Sequence, residues 1–166
     1  IKKKIMTMII YNDPETGILV EMFPCLQEIN PATDKPFTVQ EIADKDVPDG
    51  VPYSIVEDSA IPTDQSFRDS WEGVAVGTSD VYVQHNMTKA IEIHKKNIRN
   101  TREPLLSALD VDFQRALETS ADTSTIVAKK QALRDAPAAS GISTSTSITQ
   151  LKAQWDTSIL GASPYS

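Results

Sequence analysis

Residues 86–136 constrain this chain most, because they form its one long run with helical periodicity. Met87, Ile91, His94 and Ile98 recur at steps of four, three and four. Leu105, Leu109, Phe113 and Ala116 continue at four, four and three. That spacing draws an apolar stripe along one helix face. Lys95, Lys96, Arg99, Asp112 and Arg115 fall mostly off the stripe, where water should solvate them. Pro104 interrupts the run. A proline inside a helix removes one hydrogen bond and crowds the carbonyl four residues back, which predicts a kink or a fresh helix start. Residues 120–124 supply turn and cap residues, with Asp122 or Thr123 as N-cap of a second helix that runs to Arg134 and is stopped by Pro137. Ile126, Val127, Lys130 and Leu133 are spaced to fold back onto the first arm. Two readings follow. The stripe is buried in its own chain as a helical hairpin, or it pairs with another chain as a coiled coil or partner-binding arm. A narrow stripe holding a polar His94, on a helix this long in so short a chain, favours the second.

A length of 166 residues suits one modest domain or two small modules. Only 6% of the residues are aromatic, so the large side chains that dominate cores are scarce. The net charge of −7 argues against non-specific binding to nucleic acid or to an anionic membrane. The basic runs are Lys2, Lys3 and Lys4, and the stretch 95–102, which reads as a solvated helix face rather than a phosphate site. Cys25 is the single cysteine, so neither an intrachain disulfide nor a thiolate metal cluster can form, as suits a reducing compartment. No apolar run approaches the roughly 20 residues that a membrane span needs, and no signal peptide is visible. Ile1-Lys2-Lys3-Lys4-Ile5 ahead of Met6 has the form of a purine-rich leader read in frame before a start codon.

Taken in order, residues 6–11 alternate apolar side chains with Thr7 and read as a strand. Asn12-Asp13-Pro14-Glu15-Thr16-Gly17 is a turn, and residues 18–23 are a second strand, which together make a β-hairpin. Asp13 and Glu15 resemble a catalytic carboxylate pair, but turn solvation accounts for them better. Residues 24–36 form a Pro/Asn/Thr/Asp connection. Thr38-Val39-Gln40-Glu41 has the capping-box form and starts a short helix to about Lys45. Asp49-Gly50 marks a turn before a third strand, 53–56. Thr63 or Asp64 caps a further short helix on which Phe67 and Trp71, four apart, share a face. That face either closes the β-unit or, with Arg68 and Trp71 as enriched anchor types, docks a partner. Residues 138–149 are Ala/Ser/Thr-rich and read as a flexible linker. Leu151, Trp155 and Ile159 make a last short amphipathic helix stopped by Gly161.

The run Val51-Pro52-Tyr53-Ser54-Ile55-Val56-Glu57-Asp58-Ser59-Ala60-Ile61-Pro62-Thr63-Asp64, followed by Ser66-Phe67-Arg68-Asp69-Ser70-Trp71-Glu72, resembles a segment of bacteriophage tail assembly chaperones and tail-fibre assembly proteins. The opening Ile9-Ile10-Tyr11-Asn12-Asp13-Pro14-Glu15-Thr16-Gly17 is similar to the start of many such small tail-module proteins, and residues 102–113 with 129–135 resemble their helical tail. The resemblance touches most of residues 9–160 and is most specific at Phe67-Arg68 and Trp71. One departure is the apolar Gly73-Val74-Ala75-Val76-Gly77, where such proteins often carry an acidic, Gly-rich tether. The resemblance implies a protein that binds a phage tail or tail-fibre protein and assists its folding or attachment, in the host cytoplasm during assembly. The alternative is a virion component, a fibre-bound cap or adaptor in the tail.

No Gly-rich phosphate loop, His-x-x-x-His helix or nucleophile elbow is present. His85 and His94 do not make a site, and Asp110-Val111-Asp112 on an amphipathic helix reads as cap and surface charge. Asn86-Met87-Thr88 fits the glycosylation pattern but has no meaning outside a secretory pathway. No enzyme, cofactor, metal, nucleic acid or membrane partner is expected. The expected fold class is α+β: a small N-terminal β-rich (β-β-α-β) unit over 1–75, a linker over 76–85, a helical hairpin or coiled-coil segment over 86–136, and a Ser/Thr-rich tail with a short amphipathic helix over 137–166. The expected partner-binding residues are Phe67, Arg68, Trp71, Ile91, Ile98, Leu105, Leu109 and Phe113, with homo- or hetero-oligomers formed through the helices.

Overall fold

A computed structural model describes residues 6–165; the expectations on Ile1 to Ile5 lie outside that range. The fold is α+β, and the chain divides into two compact units, Ile1–Asn86 and Met87–Ser166.

In the N-terminal unit, β1 (Thr7–Asn12) and β2 (Leu19–Met22) form the expected hairpin. Its turn is held by Asp13, whose Oδ1 accepts from the Thr16 amide at 2.7 Å and the Glu15 amide at 3.0 Å, while Gly17 takes the left-handed φ of 62° that closes it. The connection that follows contains a two-residue ladder, β3 (Ile29–Asn30) with β4 (Lys35–Pro36). Helix α1 (Val39–Asp46) starts at the predicted capping box. The Thr38 Oγ1 accepts from the Glu41 amide at 3.2 Å and the Glu41 carboxylate accepts from the Thr38 amide at 2.8 Å. Strand β5 (Tyr53–Glu57) returns antiparallel to β1, giving the sheet order β2-β1-β5.

The central strand is covered on both faces, which is why Met8, Ile9 and Ile10 are all buried. Ile9 packs with Ile42, Ala43 and Val47 around α1. Met8, Ile10 and Leu19 pack on the other face against Trp71. Trp71 opens β6 (Trp71–Val74), which pairs antiparallel with β7 (Tyr82–His85). The expected linker over 76–85 therefore contains a strand, and its apolar Val81 and Val83 pack against the Trp71 cluster.

The C-terminal unit is helical. Helix α2 (Met87–Glu118) runs 32 residues, about 48 Å at the standard rise. It continues through Pro104, so of the expected kink or fresh helix start the second does not occur. Pro104 and Asn100, whose carbonyl loses its donor, are both exposed, so water can serve that carbonyl. Helix α3 (Ser124–Asp135) folds back along α2 as the sequence predicts. The Asp122 carboxylate accepts from the Ser124 amide at 3.0 Å.

The segment expected as a Ser/Thr-rich tail is folded. It forms α4 (Ser140–Thr144), α5 (Ile148–Lys152) and α6 (Thr157–Leu160). Its Ser and Thr side chains bond to nearby backbone rather than to solvent alone. The Ser145 hydroxyl donates to the Gly141 carbonyl at 2.7 Å, and the Ser147 hydroxyl accepts from the Gln150 amide at 3.3 Å. Ile142, Leu151, Trp155 and Leu160 are its buried anchors. Leu151, Trp155 and Ile159 consequently belong to two short helices and the turn between them, not to one helix. Gly161, at φ 81°, ends α6 as expected. Replacing Ile142 with Ala should cost about 2–5 kcal/mol, read from the urea midpoint of the full chain; a flexible linker at this position would show no change.

Candidate interaction surfaces

The motif at residues 64–71 folds as a packing device. Asp64 accepts from the Ser66 amide at 3.0 Å and opens a 3₁₀ turn over Gln65–Ser70. Phe67 is 1% exposed and Trp71 is fully buried. Trp71 lies in β6 rather than in the turn, so the two do not share a helix face, and neither presents a docking surface. A buried aromatic pair is the stronger outcome because each ring removes so much apolar area from water. Arg68 remains at the surface, 3.4 Å from the Glu21 carboxylate, whose side chain is only 8% exposed.

Two further ties hold this region, and the sequence reading missed both. The Asn12 side chain clasps Gly73: its Nδ2 donates to the Gly73 carbonyl and its Oδ1 accepts from the Gly73 amide, both at 2.8 Å. A Cβ on Gly73 would lie 2.5 Å from Val76 Cγ2 and 3.2 Å from Leu19 Cδ1, so any larger residue there displaces the Val76 side chain. Ser70, fully buried, donates to the Phe67 carbonyl at 2.7 Å and shares a 2.9 Å hydrogen bond with His85 Nδ1. The Asn-to-Gly link spans 61 positions, so no local pattern announces it.

In the C-terminal unit the stripe changes character along α2. Ala90, His94 and Ile98 are buried and Ile91 is half-buried. Beyond Ile98 no residue is buried until Leu133. Leu105, Leu109 and Phe113 are half-buried in the seam with α3, while Val111, Leu117 and Val127 are exposed. Lys130 pairs with Asp110 and sets its amine 5.1 Å from the Phe113 ring centre. Arg102 donates to the carbonyls of Leu133, at 3.3 Å, and Arg134, at 2.7 Å, capping the end of α3. Of the predicted binding residues, Ile98 is thus core, Ile91 is half-buried, and Leu105, Leu109 and Phe113 line the seam with α3. A groove of about 350 Å³ runs between Leu105, Leu109, Leu133 and Ile159.

Charge is divided along α2. Residues 87–102 carry Lys89, Lys95, Lys96, Arg99 and Arg102 against Glu92; residues 103–118 carry Glu103, Asp110, Asp112 and Glu118 against Arg115. Asp156, the one acidic residue after Asp135, is engaged in capping Ser158.

His94 sits in an aromatic knot. Its ring stacks on Tyr165 at 5.5 Å and meets Trp155 edge-on at 6.1 Å. Nδ1 shares a 2.8 Å hydrogen bond with the Tyr165 hydroxyl, which also accepts from Asn97 at 3.3 Å. Burial holds the imidazole down at about 4, against 6.5 for a free histidine. It also pushes the Tyr165 phenol up, so both groups are neutral at physiological pH.

Among the described residues no group of three or more His, Cys, Asp or Glu side chains is placed to hold a metal ion, and no helix is long and apolar enough to cross a membrane. Comparison with protein-family models, curated proteins and solved structures finds no match to this chain.

Two measurements check these assignments. Replacing Trp71 with Ala should cost about 3–5 kcal/mol of stability, seen in denaturant unfolding; a docking residue would instead leave stability unchanged. For His94 the folded chain resists a proton that the unfolded chain accepts below pH 6.5, so stability should fall as pH drops from 6.5 towards 4 and be flat above 7. His94→Gln should flatten the part of this loss between pH 7 and 5, before carboxylates titrate. An unaltered pH profile in that variant would contradict the assignment.

Proposed function

We propose that this chain acts by binding, as a phage tail or tail-fibre assembly protein that holds a tail or fibre protein during its folding or attachment. One observation carries the binding element: no residue between 99 and 132 is buried, although this two-helix arm exposes Val111, Leu117 and Val127. Helices this short on tertiary contacts gain little stability from propensity alone. A partner that covers the arm supplies the burial it lacks, in the helix-to-helix manner of an amphipathic groove. The resemblance at residues 51–72 supports the assignment to tail assembly. Phe67 and Trp71 leave the binding set, because they are core residues of the N-terminal unit, while Arg68 stays at its surface.

A second reading keeps the protein in the particle as a fibre-bound cap or adaptor. The packed C-terminal segment, with Trp155 and Tyr165 folded onto His94, favours that reading over a loosely tethered chaperone. No catalytic role is proposed.

Quantitative mass spectrometry of purified infectious particles and of infected-cell lysate separates the two. A fixed ratio to a tail or fibre protein in the particle makes the chain a virion component; a complex with such a protein in lysate and absence from particles make it a chaperone. Absence from both would refute the proposal. In either case Val111→Asp with Leu117→Asp should reduce recovery of the bound tail protein at least about tenfold, as desolvated apolar anchors of an interface do. Both side chains are exposed, so helix content should hold.

A further inference from the structure

We infer that the arm formed by α2 and α3 takes a second copy of this chain, with the two α2 helices antiparallel. The inference rests on reading the arm as an interaction element and adds the identity and direction of one partner. Direction comes from charge. The first half of α2 is basic and the second half acidic, so parallel copies would oppose like charges along their whole length. Antiparallel copies place each basic half on the other's acidic half. The helix's own dipole does not account for the division, since it favours acidic residues early and basic residues late.

Pairing within the C-terminal unit leaves this complementarity open. Helix α3 brings Lys130 to Asp110 and Lys95 pairs with Glu92 within α2, while Asp156, the one acidic residue after Asp135, is taken up as a cap. Lys96, Arg99, Glu103 and Glu118 are all exposed. An axis near the small, exposed Ser107 sets Lys96 of one copy against Glu118 of the other, each eleven positions from it. The same arrangement lays the exposed Val111 of both arms into the contact, four positions from the axis.

The test is sedimentation equilibrium of the full chain at low salt, with two charge-reversed variants. The wild-type chain should weigh twice its 18.2 kDa and dissociate as salt is raised. K96E/R99E leaves the first half of α2 without net charge beside an acidic second half, and E103K/E118K makes both halves basic, so each alone should be monomeric. An equal mixture of the two should recover the dimer mass. A monomeric wild-type chain would overturn the inference, as would a dimer indifferent to both reversals or a mixture that stays monomeric. Those results would leave the binding proposal standing if a tail protein still co-purifies. A dimer with the predicted exchange pattern but no bound tail protein would sustain the inference and count against the assembly role.

Discussion

Trp71 is the largest fully buried side chain of the chain, and the N-terminal unit is built to bury it. With few aromatic residues available, one indole has to cover the face of the sheet that α1 leaves open. Placing it there requires β6 to approach β1 closely, and the Asn12 clasp on Gly73 holds that approach. The 3₁₀ turn before Trp71 delivers the indole to that face. The Phe67-Arg68 and Trp71 positions are thus a device for closing a small core. Their residue types are those of interface hot spots because both settings reward large rings.

The C-terminal unit spends its apolar residues unevenly. Trp155 and Tyr165 pack on His94 near the start of α2, and Ile98, Ile142 and Leu151 are buried, whereas the outer arm has only seam contacts. Net stability is a small difference between large terms, so an arm without buried residues contributes little to holding the fold. The buried histidine shows the opposite economy: it accepts a depressed pKa in return for a site in the core, hydrogen-bonded to Tyr165.

Four carboxylates of the chain serve local architecture. Thr16 amide and hydroxyl donors hold the Asp13 carboxyl below its usual range, and the Thr38 amide and hydroxyl do the same for Glu41. Ser124 lowers Asp122, and Ser158 lowers Asp156, in each case through the hydroxyl first and the amide second. Each of these carboxylates sits at a turn or a helix start, where backbone N–H groups lack partners. Asp13 belongs to a turn for this reason, and its neighbour Glu15 contributes an amide to it.

Local patterns were sufficient wherever the deciding contacts are close in sequence. The β1–β2 hairpin, the Thr38/Glu41 box, the fold-back of α3 and the Gly161 stop are all written within a few residues of themselves, and the α+β class followed from them. Tertiary structure decided what the same patterns leave open. Periodicity cannot say which stretch of a stripe is covered, so Ile98 became core while Leu105, Leu109 and Phe113 became a thin seam. Composition cannot say whether Ser and Thr are solvated, and Ile142 and Leu151 drew residues 138–149 into the fold. The burial of Trp71 and the Asn12 clasp depend on groups about sixty positions apart; only closing the chain on itself brings them together, because the burial that stabilises them exists in no shorter segment.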